Sequence, residues 1–169
     1  MPRQGMAGIT RKASDSFTRP ANTTAYTAND EVSNSATQAS AVALQFDNVV
    51  GPIGSGYVVG GQLEASGDAV ASGSFRLWIF TAAPTMVGDN AAYGLLNSER
   101  EERIGFLDFT LETEDTTAGN TVVSYAQDKR IPFQNTADNH LYGVLVAEAA
   151  YTPGSAQTFY VELQVEGND

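Results

Sequence analysis

Between Gln157 and Val165 the side chains alternate without a break. Phe159, Val161, Leu163 and Val165 fall on one face, and Tyr160, Glu162, Gln164 and Glu166 on the other. A period of two is what a pleated strand half-buried against a core requires, and it conflicts with the 3.6-residue repeat of a helix. The same rhythm recurs upstream. Ala41–Asp47 sets Val42, Leu44 and Phe46 against Ala43, Gln45 and Asp47; Tyr57–Ala65 sets Tyr57, Val59 and Leu63 against Gln62 and Glu64; Ile104–Leu111 sets Leu107, Phe109 and Leu111 against Asp108 and Thr110. Ser74–Phe80 is apolar on both faces, Thr121–Tyr125 is short and β-branched, and Leu141–Ala149 is apolar and reads as interior.

The links between these runs are turn formers: Gly51-Pro52, Ser66-Gly67-Asp68, Gly88-Asp89-Asn90, Ala118-Gly119-Asn120 and Pro153-Gly154-Ser155. The one helix candidate, Ala91–Glu102, is weakened by Gly94. Seven to eight strands with no alternating helices predict an all-β fold. The expected form is a single antiparallel β-sandwich, arranged as an eight-stranded jelly roll.

Residues 1–40 carry almost no periodic apolar pattern and are rich in Ser, Thr, Asn and Ala. They read as an extended arm, with short strand pairing near Thr23–Thr27, leading into a sandwich domain over 41–169. Charge divides the chain in the same sense. Residues 1–29 hold Arg3, Arg11, Lys12 and Arg19 against Asp15 alone, a net +3, which leaves −14 for the rest of a chain whose total is −11. An acidic body argues against nucleic acid as a partner, because phosphate contacts need a basic face. No apolar run approaches the ~18 residues that span a bilayer, and MPRQGMAGIT lacks the apolar core of a secretory signal, so neither a membrane nor secretion is expected.

The residues offer little to catalysis. With no Cys, thiolate nucleophiles and thiolate metal sites are excluded. His140, the one histidine, follows Asp138 at a spacing that shares a strand face, but no G-x-S-x-G nucleophile turn accompanies it. Glu101-Glu102, and Glu112 with Glu114-Asp115, are the densest acidic groups. They could serve glycoside hydrolysis only if held ~5–9 Å apart in a cleft. Calcium is the sharper alternative for such loops, yet no D-x-D-x-D-G pattern is present. No phosphate-binding G-x-x-x-x-G-K occurs. The chain therefore reads as a structural or binding protein without an enzymatic activity, a cofactor or a bound metal.

Two groups stand out for binding. Arg76, Trp78 and Phe80 share one face of a strand whose other face is already core. They suit a subunit interface, where aromatics and Arg are enriched, a sugar-stacking platform, or a strand buried on both sides. In the arm, Arg3, Arg11, Lys12 and Arg19 supply charge, and Phe17 and Tyr26 supply apolar anchors, for docking on an acidic surface.

The run Ser14-Asp-Ser-Phe17-Thr-Arg-Pro20-Ala-Asn-Thr-Thr-Ala-Tyr26, followed by Ala28-Asn-Asp30-Glu-Val32, resembles the opening of a group of tailed-bacteriophage virion proteins. Phe75-Arg-Leu-Trp-Ile-Phe80, Ala83-Pro84, Asp89-Asn-Ala-Ala92 and Ile104-Gly-Phe-Leu107 resemble the same group in the same order. The resemblance implies a particle component of the capsid decoration (cement) or head-fibre-base type. It would be assembled in the host cytoplasm onto the outer surface of the head and bound to the major capsid protein, as a homotrimer. In that setting Arg3, Arg11, Lys12, Phe17, Arg19 and Tyr26 would grip the shell, and Arg76, Trp78 and Phe80 would pack subunits together. The chain ends just after its last strand, which is short for a fibre. The alternative is a carbohydrate-binding sandwich on the virion, with Trp78, Tyr57 or Tyr142 stacking on sugar rings.

Overall fold

The computed structural model describes residues 9–49, 54–66, 73–111, 121–134 and 139–167. The fold is all-β, and the ten strands among these residues form two antiparallel sheets. The first sheet takes β1 (Ile9–Thr18), β10 (Thr158–Gly167), β4 (Ser55–Ser66) and β7 (Thr121–Ala126) in that order, and β8 (Ile131–Gln134) also pairs with β4. The second takes β2 (Glu31–Val32), β9 (Leu141–Ala147), β5 (Gly73–Phe80) and β6 (Arg103–Leu111), and β3 (Leu44–Phe46) also pairs with β9. The pairings nest along the chain: β5 with β6, β4 with β7 and β8, β2 and β3 with β9, and β1 with β10. Pairing of β4 with β10 and of β5 with β9 then completes the two sheets.

The alternating runs place the core between the sheets. Leu63, Phe159, Val161, Leu163 and Val165 come from the first sheet, and Phe75, Leu77, Ile79, Leu107, Phe109 and Leu145 from the second, all buried. A second apolar layer covers part of the outer face of the second sheet. There Phe80, Val144 and Val146 lie beneath Met86 and Tyr93 of the segment that follows β5. This layer explains why Ser74–Phe80 is apolar on both faces.

Several local expectations change. The division at residue 40 does not coincide with the strands, because β1 and β2 precede it and pair with β10 and β9. β1 escapes notice because, among its described inward side chains, only Ala13 and Phe17 are apolar; Phe17 stacks on Phe159 at 5.7 Å. The Thr23–Thr27 pairing reduces to a bridge between Tyr26 and Tyr151. Ala91–Glu102 is not a helix; it holds only a 3-10 turn at Asn97–Glu99. A register shift in the β4–β10 pairing parts Tyr57 from Leu63: Val58 and Leu63 are buried, while Tyr57 and Val59 face outward.

Candidate functional site

Three groups of residues define what this molecule can do. The first is buried. Arg19, 2% exposed, follows β1, and its Nη2 meets Asp89 Oδ2 at 3.0 Å. Its Nε donates to Tyr26 Oη at 2.8 Å, and its remaining donors reach Asn22 Oδ1 at 3.1 Å and the carbonyls of Asn22 and Gly154. The Tyr26 hydroxyl donates to Asp89 Oδ1 at 2.5 Å, and the same oxygen accepts the Ser33 amide at 3.2 Å. Burial first, and then the hydrogen bond to Asp89, pushes the Tyr26 phenol well above its ordinary pKa.

The local sequence builds this cluster. Gly88 at φ +107° and Asn90 at φ +62° turn the chain so that Asp89 points inward; a side chain at 88 would also meet the Ala36 carbonyl at 2.9 Å. The buried Glu31 carboxylate holds the approach to the turn, accepting the Val87 and Gly88 amides at 2.7 and 3.0 Å. Asp89 and Arg19 are thus fully partnered and out of reach of solvent. They form a structural clamp rather than a reactive centre.

This corrects the expectation for Arg19 and Tyr26 as shell-gripping residues. Both are consumed inside the sandwich, because a buried carboxylate requires a cation and donors. Phe17 is likewise half-buried on the core. Lys12 is exposed on the outer face of the first sheet, ion-paired to Glu162 at 2.7 Å, which raises the lysine's pKa through hydrogen bonding and charge. Arg11 lies on β1 opposite Val165. Arg3 lies outside the described residues.

The second group is the open part of the second sheet's outer face. Trp78 on β5 pairs in register with Phe106 on β6, and their rings meet edge-on at 5.1 Å. The Arg76 guanidinium lies 4.1 Å from the Phe106 ring and 5.5 Å from Trp78, and Arg103 approaches Trp78 from the other end at 5.9 Å. Arg76 also bonds Asp108 at 2.8 Å and nears Glu148 at 3.7 Å. Trp78, Phe106 and Arg103 are half-buried. Phe80, expected here, is fully buried beneath Met86 and Tyr93 and reaches no surface. Phe106 and Arg103 are the residues that sequence reasoning missed. Residues three apart on a strand ordinarily face opposite ways, but a bulge between Ile79 and Phe80 sets Arg103 opposite Phe80 and Phe106 opposite Trp78, on one face.

The third group comprises the other expected binders, which are dispersed. Tyr57 is on the first sheet under the Arg130 guanidinium at 4.0 Å, and Tyr142 packs beside the second apolar layer. His140 pairs with Asp47 at 2.7 Å; Asp138 lies outside the described residues. Glu102 lines a pocket of about 290 Å³ with Glu99, whose carboxylate accepts the Thr85 amide at 2.7 Å, while Glu101 is exposed. Glu112, Glu114 and Asp115 lie outside the described residues. Among the described residues no group of three or more His, Cys, Asp or Glu is placed to hold a metal ion, and no helix is long and apolar enough to cross a membrane. No family model and no curated protein matches the sequence.

Proposed function

We propose that the chain is a structural component of a bacteriophage particle, a capsid decoration protein that binds the outside of the head and braces contacts between major capsid protein subunits. The nested strand order carries this reading. With β2 and β3 sharing one position beside β9, and β7 and β8 one beside β4, ten strands occupy eight positions in two sheets. A long hairpin rolled up in this way fits a jelly roll, the architecture of many viral capsid and lectin domains.

The aromatic surfaces favour the capsid reading over the carbohydrate-binding one. Arg130 lies over Tyr57 on the first sheet, while Trp78 and Tyr142 border the second apolar layer of the other sheet, so the three rings do not share one platform. The phage resemblance of Ser14–Val32 and Phe75–Phe80 points the same way. Many modest contacts repeated over a shell add up by multivalency, which suits an acidic sandwich with exposed cations such as Lys12 along its edge strand.

Co-sedimentation with expanded, mature heads and with unexpanded precursor heads tests the proposal. Saturable binding to expanded heads is expected. Binding to neither, together with hits on a glycan array, would support the adhesion module instead.

A further inference from the structure

The pocket of about 290 Å³ at the end of β5 joins an apolar wall to two carboxylates. Phe80, Ala82, Ala83 and Pro84 form the wall, and Glu99 and Glu102 come from the turn before β6. Two hydrogen bonds hold the sides together: the Thr81 amide donates to the Glu102 carbonyl at 2.8 Å, and the Thr85 amide to Glu99 Oε1 at 2.7 Å. The Oε2 atoms of Glu99 and Glu102 are shut from solvent and accept no hydrogen bond. Among the described residues no cation pairs with either glutamate; the Arg103 guanidinium lies toward Trp78, at 5.9 Å. A third idle group reaches the same corner. Tyr93 is 8% exposed and packs with Phe80 in the second apolar layer, and its buried hydroxyl has no partner. Burial first, and then the charge of Glu99, raises the pKa of this phenol; no other charge acts on it more strongly, so the hydroxyl is turned toward Glu99. Buried oxygens of this kind ordinarily have donors.

We infer that this pocket binds a primary ammonium on an aliphatic stem, the side chain of a lysine presented by a partner protein. An ammonium has three donors and no acceptor, which matches the three idle oxygens of Glu99, Glu102 and Tyr93. The terminal torsion of a glutamate is broad and two-fold, so a turn about it brings each Oε2 to the pocket. The methylene stem then lies along Phe80, Ala82, Ala83 and Pro84, as lysine stems commonly do on apolar surface. A metal ion suits the pocket less well. Calcium takes about six to eight oxygens, and among the described residues no group of three or more His, Cys, Asp or Glu is placed to hold one. A net charge of −11 favours approach of a basic protein surface that carries the lysine. The inference does not depend on the virion reading, and the free chain tests it.

An NMR titration of the ¹⁵N-labelled full chain separates the outcomes. The probes are Nα-acetyl-lysine methylamide, its norleucine counterpart, which keeps the stem and lacks the ammonium, and calcium chloride. The lysine probe is expected to shift the amide signals of Thr81, Thr85 and Glu102 saturably, and the norleucine probe to leave them in place. Glu99→Gln and Glu102→Gln, each still folded by circular dichroism, are expected to bind the lysine probe about tenfold more weakly, as loss of a charged hydrogen-bond partner does. Glu101→Gln, at an exposed neighbour, should bind it as the wild type does. Glu102→Gln should also unfold at or above the wild-type temperature, because an uncompensated buried charge is removed and no partner is lost. No saturable shift with the lysine probe, equal shifts with norleucine, or saturation of the same amides by calcium alone would each overturn the lysine pocket. So would an equal loss of binding in Glu101→Gln, which would mean diffuse charge, or a lowered unfolding temperature in Glu102→Gln, which would mean that the carboxylate already has a partner within the protein.

Discussion

Arg19 and Asp89, seventy positions apart in the chain, form an ion pair at 3.0 Å that is closed to solvent on both sides. It ties the end of β1 to the turn that crosses the second sheet, so the N-terminal residues belong to the sandwich. Removing one member leaves the other charge buried and alone, which typically costs about 3–5 kcal/mol. Asp89→Ala and Arg19→Ala are each expected to lower the urea unfolding free energy by about that much. The double variant should lose less than the sum, as coupled partners do.

The same clamp decides how far the N-terminus can be trimmed. A chain starting at residue 9 keeps β1 and every contact of Arg19 described above, and is expected to unfold at nearly the wild-type temperature. A chain starting at residue 23 lacks β1 and Arg19, exposing one edge of β10 and stranding Asp89. It is expected to be unfolded or strongly destabilised by circular dichroism. Equal melting temperatures for the two chains would contradict the clamp.

Three of the seven tyrosines are held protonated by their surroundings. Burial comes first for Tyr26, Tyr93 and Tyr151, and the charge or hydrogen bond of a carboxylate adds to it at Tyr26 and Tyr93. Their folded pKa values lie above the ordinary value of 10.0, so their contribution to stability is complete below pH 10. Above that pH the unfolded chain sheds phenolic protons that the folded chain keeps, and stability falls by up to about 1.4 kcal/mol per pH unit for each such ring. Absorbance titration should therefore show these three rings ionising only as the protein unfolds. Seven tyrosines titrating together near pH 10 would contradict their burial.

Legibility in the sequence follows how local each signal is. β10 is plain because Phe159, Val161, Leu163 and Val165 are all inward and all apolar. β1 is hidden because its inward positions include Arg11 and Asp15, and Asp15 uses its carboxylate to accept the Gln45 amide across the sandwich edge at 2.8 Å. The role of Arg19 depends on a carboxylate seventy residues away, so composition alone assigns it to a loose basic arm. The outward place of Trp78 is readable from the alternation of its strand. Its companions Phe106 and Arg103 are not, because a bulge that no local motif announces brings them to one side. Phe80 is misplaced by its strand face for the converse reason: the covering layer of Met86 and Tyr93 comes from a segment with no strand or helix pattern.

The proposed decoration role is tested most directly by a cryo-EM map of intact particles of the phage that the proposal assigns this chain to. Density for the two-sheet sandwich is expected on the outer surface of the head, in contact with major capsid protein subunits. Density for the sandwich on the tail, or none on the particle, would contradict that role.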